Sequence, residues 1–145
     1  MRKTLILAPR RVGKTTLLLN ELIKHQDSHM LHYYKNDLRE YQYLLRYTKH
    51  QMQDLSKRLI FFSSRLDVNK FRALRINNLI IDDYFHFNDD MLLELQKIII
   101  HCEVKAVLAS SLSGYRNISS KHDIFSRGNV NVLEYNKLKK KGLLI

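Results

Sequence analysis

The sequence contains the stretch Ala8-Pro9-Arg10-Arg11-Val12-Gly13-Lys14-Thr15, which follows the apolar run Leu5-Ile6-Leu7 and precedes a leucine-rich segment at residues 16–23. Many phosphate-binding loops have the sequence glycine, any four residues, glycine, lysine, and then serine or threonine. These loops connect a strand to a helix. In such a loop the backbone N–H groups point inward and, with the positive end of the helix, hold phosphate oxygens. The stretch therefore predicts a loop that binds the phosphates of a nucleotide.

The residues of this loop have separate predicted roles. The predicted nucleotide-binding residues are Ala8, Pro9, Arg10, Arg11, Val12, Gly13, Lys14, Thr15 and Thr16. We expect the Lys14 ammonium to reach the β- and γ-phosphates, the Thr15 hydroxyl to bind Mg²⁺, and Gly13 to let the backbone approach the phosphates closely. Ala8 stands where the pattern has its first glycine, and this alanine costs stability only if the position needs a positive φ angle.

A second chemical signal is the apolar run Leu79-Ile80-Ile81, which ends in Asp82 and Asp83. We expect Asp82 to hold Mg²⁺, directly or through water, so ATP and Mg²⁺ are the predicted cofactors. Asp83 occupies the place where many ATPases carry a glutamate that orients and deprotonates the attacking water. Because aspartate is one methylene shorter, either the water is repositioned or hydrolysis is slow.

Short apolar strands alternate with helices along the chain. The predicted strands are residues 4–7, 29–34, 59–63, 79–81, 104–109 and 130–135, and the predicted helical segments are residues 14–24, 37–55, 68–74 and 91–100. Apolar strands separated by helices predict a mostly parallel sheet with helices on both faces, whose ligands bind at the carboxyl ends of the strands. The predicted fold class is an α/β P-loop NTPase of the additional-strand type, with residues 1–145 as a single ATPase domain.

The charge of the chain favours a polyanionic partner. The sequence has 25 Lys and Arg against 14 Asp and Glu, a formal net charge of +11 at pH 7, and its basic C-terminal segment, residues 115–145, continues this excess. The phosphate backbone of a nucleic acid is the commonest polyanion in a cell, although a merely solvated basic surface remains the alternative.

Cysteine and hydropathy exclude several other classes of protein. The single cysteine, Cys102, excludes an intramolecular disulfide and a multi-cysteine zinc site. No apolar run approaches the roughly 18 residues that span a bilayer. We therefore expect no membrane partner and a cytoplasmic location, or the interior of a host cell if the protein is viral.

The order of the motifs resembles that of terminase large subunits, the DNA-packaging motors of tailed phages and herpesviruses. In that family the phosphate loop is often arginine-rich and often lacks its first glycine, as residues 8–15 do. Residues 59–64, then Arg75, then residues 79–83 follow the family's order of strand, basic spacer and acidic strand end. Lys105-Ala106-Val107-Leu108-Ala109-Ser110-Ser111 resembles its third motif, so the resemblance covers roughly residues 5–114.

The resemblance implies a motor ATPase that translocates double-stranded DNA as a homo-oligomeric ring, with other packaging proteins as partners. It implies that Lys14 and Asp83 are catalytic, and that Ser110 and Ser111 sense the γ-phosphate and couple hydrolysis to movement. An arginine commonly stabilises the charge that develops in phosphoryl transfer; Arg11 and Arg116 are preferred over Arg127 for this role. The family's usual glutamate is Asp83 here, and neither its adenine-contacting segment nor its nuclease domain fits in this chain.

Two other functions remain open. Residues 80–85 together with residues 106–116 also resemble a thymidine-kinase-type enzyme, although one cysteine cannot build the zinc lasso of that family. A nucleotide-regulated DNA-binding accessory protein with little turnover follows if Asp83 is too short to support hydrolysis.

Several histidines and tyrosines are interpreted as packing or surface residues. His25, His29 and His32 are spaced loosely like metal ligands but are interpreted as surface residues, because the segment offers no carboxylate or cysteine partner. The tyrosines that could stack on bases are interpreted as packing residues. They are Tyr33, Tyr34, Tyr41, Tyr43 and Tyr47.

Overall fold

The computed structural model describes residues 1–33, 46, 55–62, 65–114 and 121–145. Within those residues, six strands form one sheet in which every neighbouring pair is parallel. The strands are β1 Arg2–Leu7, β2 Ser28–Tyr33, β3 Leu59–Phe62, β4 Asn78–Asp82, β5 Ala106–Ser111 and β6 Asn131–Glu134. All six predicted strands are found, each within two residues of its predicted ends over the described residues, and the prediction of a parallel sheet is confirmed.

The strands lie in the order β3-β2-β4-β5-β1-β6. Strand β5 lies between β4 and β1, because Ala109 pairs with Ile81 on one side and with Leu5 on the other. Strand β5 therefore separates β4, which ends in Asp82, from β1, which leads into residues 8–13. Because all strands are parallel, their carboxyl ends meet at one edge of the sheet.

Four helices accompany these strands in the described part of the chain. They are α1 Lys14–Lys24, α2 Leu55–Arg58, α3 Asp89–His101 and α4 Tyr135–Lys140, with shorter 3₁₀ turns at Val68–Phe71, Tyr84–His86 and Ile124–Ser126. Helix α1 has its predicted ends, and the predicted helical segment at residues 68–74 is a short 3₁₀ turn. Helix α4 was not predicted, and residues 37–45 and 47–54 of the predicted helix 37–55 lie outside the described residues.

Asn88 caps helix α3. Its side chain accepts a hydrogen bond from the backbone N–H of Met91 at 2.9 Å, which satisfies one of the donors left free at a helix start. Asp89 follows the cap in the first turn of the helix.

The core has two layers because side chains along each strand alternate between the faces of the sheet. Leu5 and Leu7 pack on the face covered by α3, whereas Ile6 packs on the face covered by α1 and α4. The buried leucines of α1, Leu18, Leu19 and Leu22, belong to the second layer. Helices therefore cover both faces of the sheet, as predicted.

The end of helix α1 is held by a buried arginine. The Arg58 Nη1 atom donates to the carbonyl oxygens of Leu22, His25 and Ser28 at 2.8, 3.0 and 3.1 Å. The last carbonyl groups of a helix have no partner within the helix, so a cation with several donors is well suited to them. Arg58 thereby joins the end of α1 to the start of β2.

We predict that Arg58→Leu lowers the free energy of unfolding by about 2–3 kcal/mol, because it leaves buried carbonyl groups without their charged donor. The matched control is Arg72→Leu, which removes an exposed guanidinium and should change stability little. Urea denaturation of both variants measures the difference. Equal stability of the two variants would contradict a structural role for Arg58.

Candidate functional site

Residues 8–13 connect β1 to α1 in a tight loop at the carboxyl edge of the sheet. Arg11 and Gly13 have positive φ angles of 61° and 94°, and a side chain at Gly13 would be strained for that reason. Ala8 does not have a positive φ, is fully buried, and donates its N–H to the carbonyl of Ser111 at 3.2 Å. Alanine in place of the usual glycine therefore carries no backbone strain.

The Lys14 ammonium folds back over this loop. Its Nζ atom donates to the carbonyl oxygens of Ala8 at 2.8 Å and Ser111 at 3.1 Å, and the side chain is buried. Burial lowers the pKa of Lys14, while the nearby charges of Asp83 and Asp82 raise it. The ammonium is thus held close to both carboxylates of the acidic strand end, in surroundings that favour an additional anion.

The Asp82 carboxylate lies against the start of helix α1. Thr15 Oγ1 donates to Asp82 Oδ2 at 2.9 Å, and Ser110 Oγ donates to Asp82 Oδ1 at 3.1 Å. The same Ser110 oxygen accepts the backbone N–H of Asp83 at 3.1 Å. Loop, acidic strand end and third motif are therefore joined by hydrogen bonds at a single carboxylate.

His32 is also part of this group, although it was interpreted as a surface residue. It is fully buried on β2, opposite Asp82 in the strand register, and its Nδ1 atom lies 3.0 Å from Asp82 Oδ2. The surface interpretation is wrong for His32. It is correct for His25, which is exposed beside Glu21, while His29 is half-buried.

Asp82 is held in its ionised form by these contacts. Burial raises the pKa of Asp82, but hydrogen bonds and charge from His32, with hydrogen bonds from Thr15 and Ser110, hold the pKa below its ordinary value. In the described residues, no group of three or more His, Cys, Asp and Glu side chains is arranged to hold a metal. One carboxylate and one hydroxyl suit Mg²⁺, which keeps several waters and takes phosphate oxygens as ligands.

A cavity of about 500 Å³ opens beside these groups. Its lining residues are Arg10, Arg11, Gly13, Lys14, Thr15, Thr16, Asp83, Phe85 and His86. Six of them belong to the predicted nucleotide-binding set, and Asp83 was predicted as catalytic. Phe85 and His86 were not predicted, and the Arg10 guanidinium lies 5.7 Å from the centre of the Phe85 ring.

Other predicted site residues lie outside the cavity wall. Ser110 and Ser111 are fully buried and do not line the cavity, and the Ser111 hydroxyl has no hydrogen-bond partner among the described residues. Pro9 is exposed, and the Val12 carbonyl accepts the backbone N–H of Ile145 at 3.0 Å. Arg116 lies outside the described residues. Of the candidate arginines, Arg11 lines the cavity and Arg127 does not.

Comparisons with protein-family models, with curated proteins and with solved structures find no match to this chain. None of the described helices is both long enough and apolar enough to cross a bilayer. The geometry of the site is therefore the basis for inferring its chemistry.

We predict that inorganic tripolyphosphate stabilises the protein through Lys14 and the loop. At a concentration about 100 times its dissociation constant, a ligand of the folded state adds about 2.7 kcal/mol to the free energy of unfolding. Lys14→Met should abolish this gain, whereas Lys24→Met, which removes an exposed lysine from the same helix, should retain it. Thermal unfolding with and without tripolyphosphate measures the effect, and an equal gain in both variants would place the anion elsewhere.

Proposed function

We propose that the chain is a P-loop ATPase that binds ATP and Mg²⁺ at the cavity beside residues 8–13. The observation that carries this proposal is the hydrogen bond of 2.9 Å between Thr15 Oγ1 and Asp82 Oδ2, with the Lys14 ammonium beside it. A hydroxyl and a carboxylate in contact at the start of a helix form a pair that binds Mg²⁺ next to phosphates. Thr15 and Asp82 lie far apart in the sequence, and two separate motifs predict them as ligands of Mg²⁺.

The strand order supports the finer class of this fold. In P-loop NTPases of the additional-strand type, one strand separates the strand before the phosphate loop from the strand that ends in the acidic residue. Strand β5 has this position between β1 and β4. The crevice above the carboxyl ends of such strands is where α/β folds bind their ligands.

The residues at this site fit a nucleoside triphosphate. The loop N–H groups and Lys14 would hold the phosphates, and Thr15 and Asp82 would hold Mg²⁺. The fit is supported by the Lys14 ammonium, whose pKa is lowered by burial and which therefore gains from a bound anion. When bound, Mg²⁺ would neutralise charge on the phosphate oxygens.

Asp83 is the residue we propose to act on the attacking water. It lines the cavity, and its left-handed backbone, with φ 51° and ψ 51°, turns the chain sharply after β4. Ser110 holds its backbone N–H, so the position of the Asp83 carboxylate depends on β5. Arg10 and Arg11 line the same cavity and are the described cations that we propose to stabilise developing negative charge.

A DNA partner is supported by charge near this site. The lysines of helix α4, Lys137, Lys139 and Lys140, are exposed, as is Lys141 after it. The backbone contact between Ile145 and Val12 brings the segment that follows α4 onto the loop of residues 8–13. A nucleic acid bound by these lysines would then lie close to the segment that contacts the proposed ATP-binding loop. We extend the proposal to a homo-oligomeric ring acting with other packaging proteins.

The first experiment measures phosphate release from ATP with and without double-stranded DNA. We expect hydrolysis that DNA stimulates, and a loss of about 10²–10⁴-fold in rate for Asp83→Asn, the usual contribution of a positioned general base. The matched control is Asp90→Asn, which changes an exposed carboxylate at the start of α3.

The outcomes separate the three candidate functions. Equal rates for wild type and Asp83→Asn would remove Asp83 from the mechanism. ATP binding with phosphate release at background would favour the accessory protein, and phosphorylation of free nucleosides without any DNA effect would favour the kinase.

We predict that the triple variant Lys139→Gln, Lys140→Gln, Lys141→Gln weakens DNA binding and reduces the dependence of its affinity on salt. For every lysine that binds a phosphate in the wild type, its replacement should lower the slope of log affinity against log salt concentration by about one. The control variant is Lys24→Gln, Lys70→Gln, Lys105→Gln, whose lysines are also exposed but lie on other surfaces. Fluorescence anisotropy of labelled duplex DNA over a range of salt measures both slopes, and identical slopes would remove the C-terminal lysines from the interface.

A further inference from the structure

The Asp82 carboxylate receives a donor from each strand beside β4. Ser110 donates from β5 to Oδ1, and His32 approaches from β2 at 3.0 Å from Oδ2. Because an ionised carboxylate can only accept hydrogen bonds, the His32 Nδ1 atom carries the hydrogen and is the donor. The Thr15 hydroxyl donates to the same Oδ2 atom.

The Thr15 hydroxyl has a second task in the proposed function. A hydroxyl has one hydrogen and two lone pairs, so it can donate to Asp82 while its oxygen binds a metal. The direction of its lone pairs then depends on where Oδ2 lies. An aspartate carboxylate turns easily about its last side-chain bond, so its plane is set by the donors around it.

His32 is suited to fix that plane. Its side chain is fully buried, and its ring meets the Phe61 ring edge-on with 5.7 Å between their centres. An imidazole in such surroundings costs stability unless its polar atoms are used, and an apolar side chain would fill a strand position at lower cost. The contact with Asp82 therefore accounts for a buried histidine at this position better than packing in the core does.

We propose that His32 is a positioning residue that holds Asp82 for Mg²⁺ and so sets the affinity of the site for the metal. The proposal rests on the proposed ATP site. His32 contacts neither nucleotide nor metal in this scheme and acts only through Asp82. Groups that orient the ligands of a metal commonly change its affinity by about 10–100-fold when they are removed.

The test titrates Mg²⁺ into the protein with a fluorescent ATP analogue and also measures binding of the analogue in EDTA. His32→Leu removes the donor and should raise the Mg²⁺ concentration for half-maximal response by about 10–100-fold, with unchanged binding in EDTA. His32→Asn places an amide N–H at the position of Nδ1 and should restore the wild-type Mg²⁺ requirement. His32→Gln carries its amide one bond further out and should behave like His32→Leu.

A purely structural role for His32 predicts a different result. It would lower analogue binding equally with Mg²⁺ and in EDTA, and this outcome would overturn the proposal. An unchanged Mg²⁺ requirement in His32→Leu or His32→Gln would overturn it as well. If His32→Leu does not fold, as circular dichroism and thermal unfolding would reveal, the comparison of His32→Asn with His32→Gln decides.

The outcome for the wild type separates this proposal from the one on which it rests. Failure of the wild-type protein to bind the analogue, with or without Mg²⁺, would overturn the ATP site and the role of His32 together. Wild-type binding that requires Mg²⁺, with equal requirements in all His32 variants, would overturn the role of His32 alone.

Discussion

A buried, ionised carboxylate at the end of β4 is the constraint on which the rest of this edge depends. Asp82 is fully buried, and a charge so placed is tolerated only when donors surround it. The strand order supplies them, because β2 and β5 flank β4 and bring His32 and Ser110 from either side. Helix α1 brings Thr15 as the third donor, so the sheet and the loop of residues 8–13 are positioned by the same group.

Two of the three strained backbone positions among the described non-glycine residues lie where the chemistry is proposed. Among the described residues other than glycine, positive φ angles occur at Arg11, Asp83 and Glu103, and the first two line the cavity. Such conformations cost about 1–3 kcal/mol each and persist only where the surrounding structure enforces them. The buried Lys14 ammonium adds to this cost. The strained backbone and the buried charge therefore lower the stability of the carboxyl edge of the sheet. In return, the charges there are held in a fixed arrangement, which is typical of binding sites.

The parts of the fold and site that depend on local patterns could be predicted from the sequence. Apolar runs identified the six strands, and the loop motif predicted the ends of helix α1 correctly. Helix α4 could not be predicted, since its sequence is polar and basic and buries Leu138 alone. The prediction of a surface position is wrong for His32, because its contact with Asp82 depends on which strand lies beside β4. No local sequence pattern contains that information. Phe85 and His86 reach the cavity through the left-handed turn at Asp83, which the residue type does not predict.

The placement of Ser110 changes how its motif can work. The family resemblance implies that this serine senses the γ-phosphate, yet its hydroxyl donates to Asp82 and accepts from the Asp83 N–H. Its single hydrogen is used in this way, and Ser110 does not line the cavity. A shift of the Asp82 carboxylate would therefore be passed through Ser110 to the backbone of Asp83. Because this hydroxyl bonds to both aspartates at once, the role that the resemblance implies for Ser110 would have to act through Asp82 and Asp83.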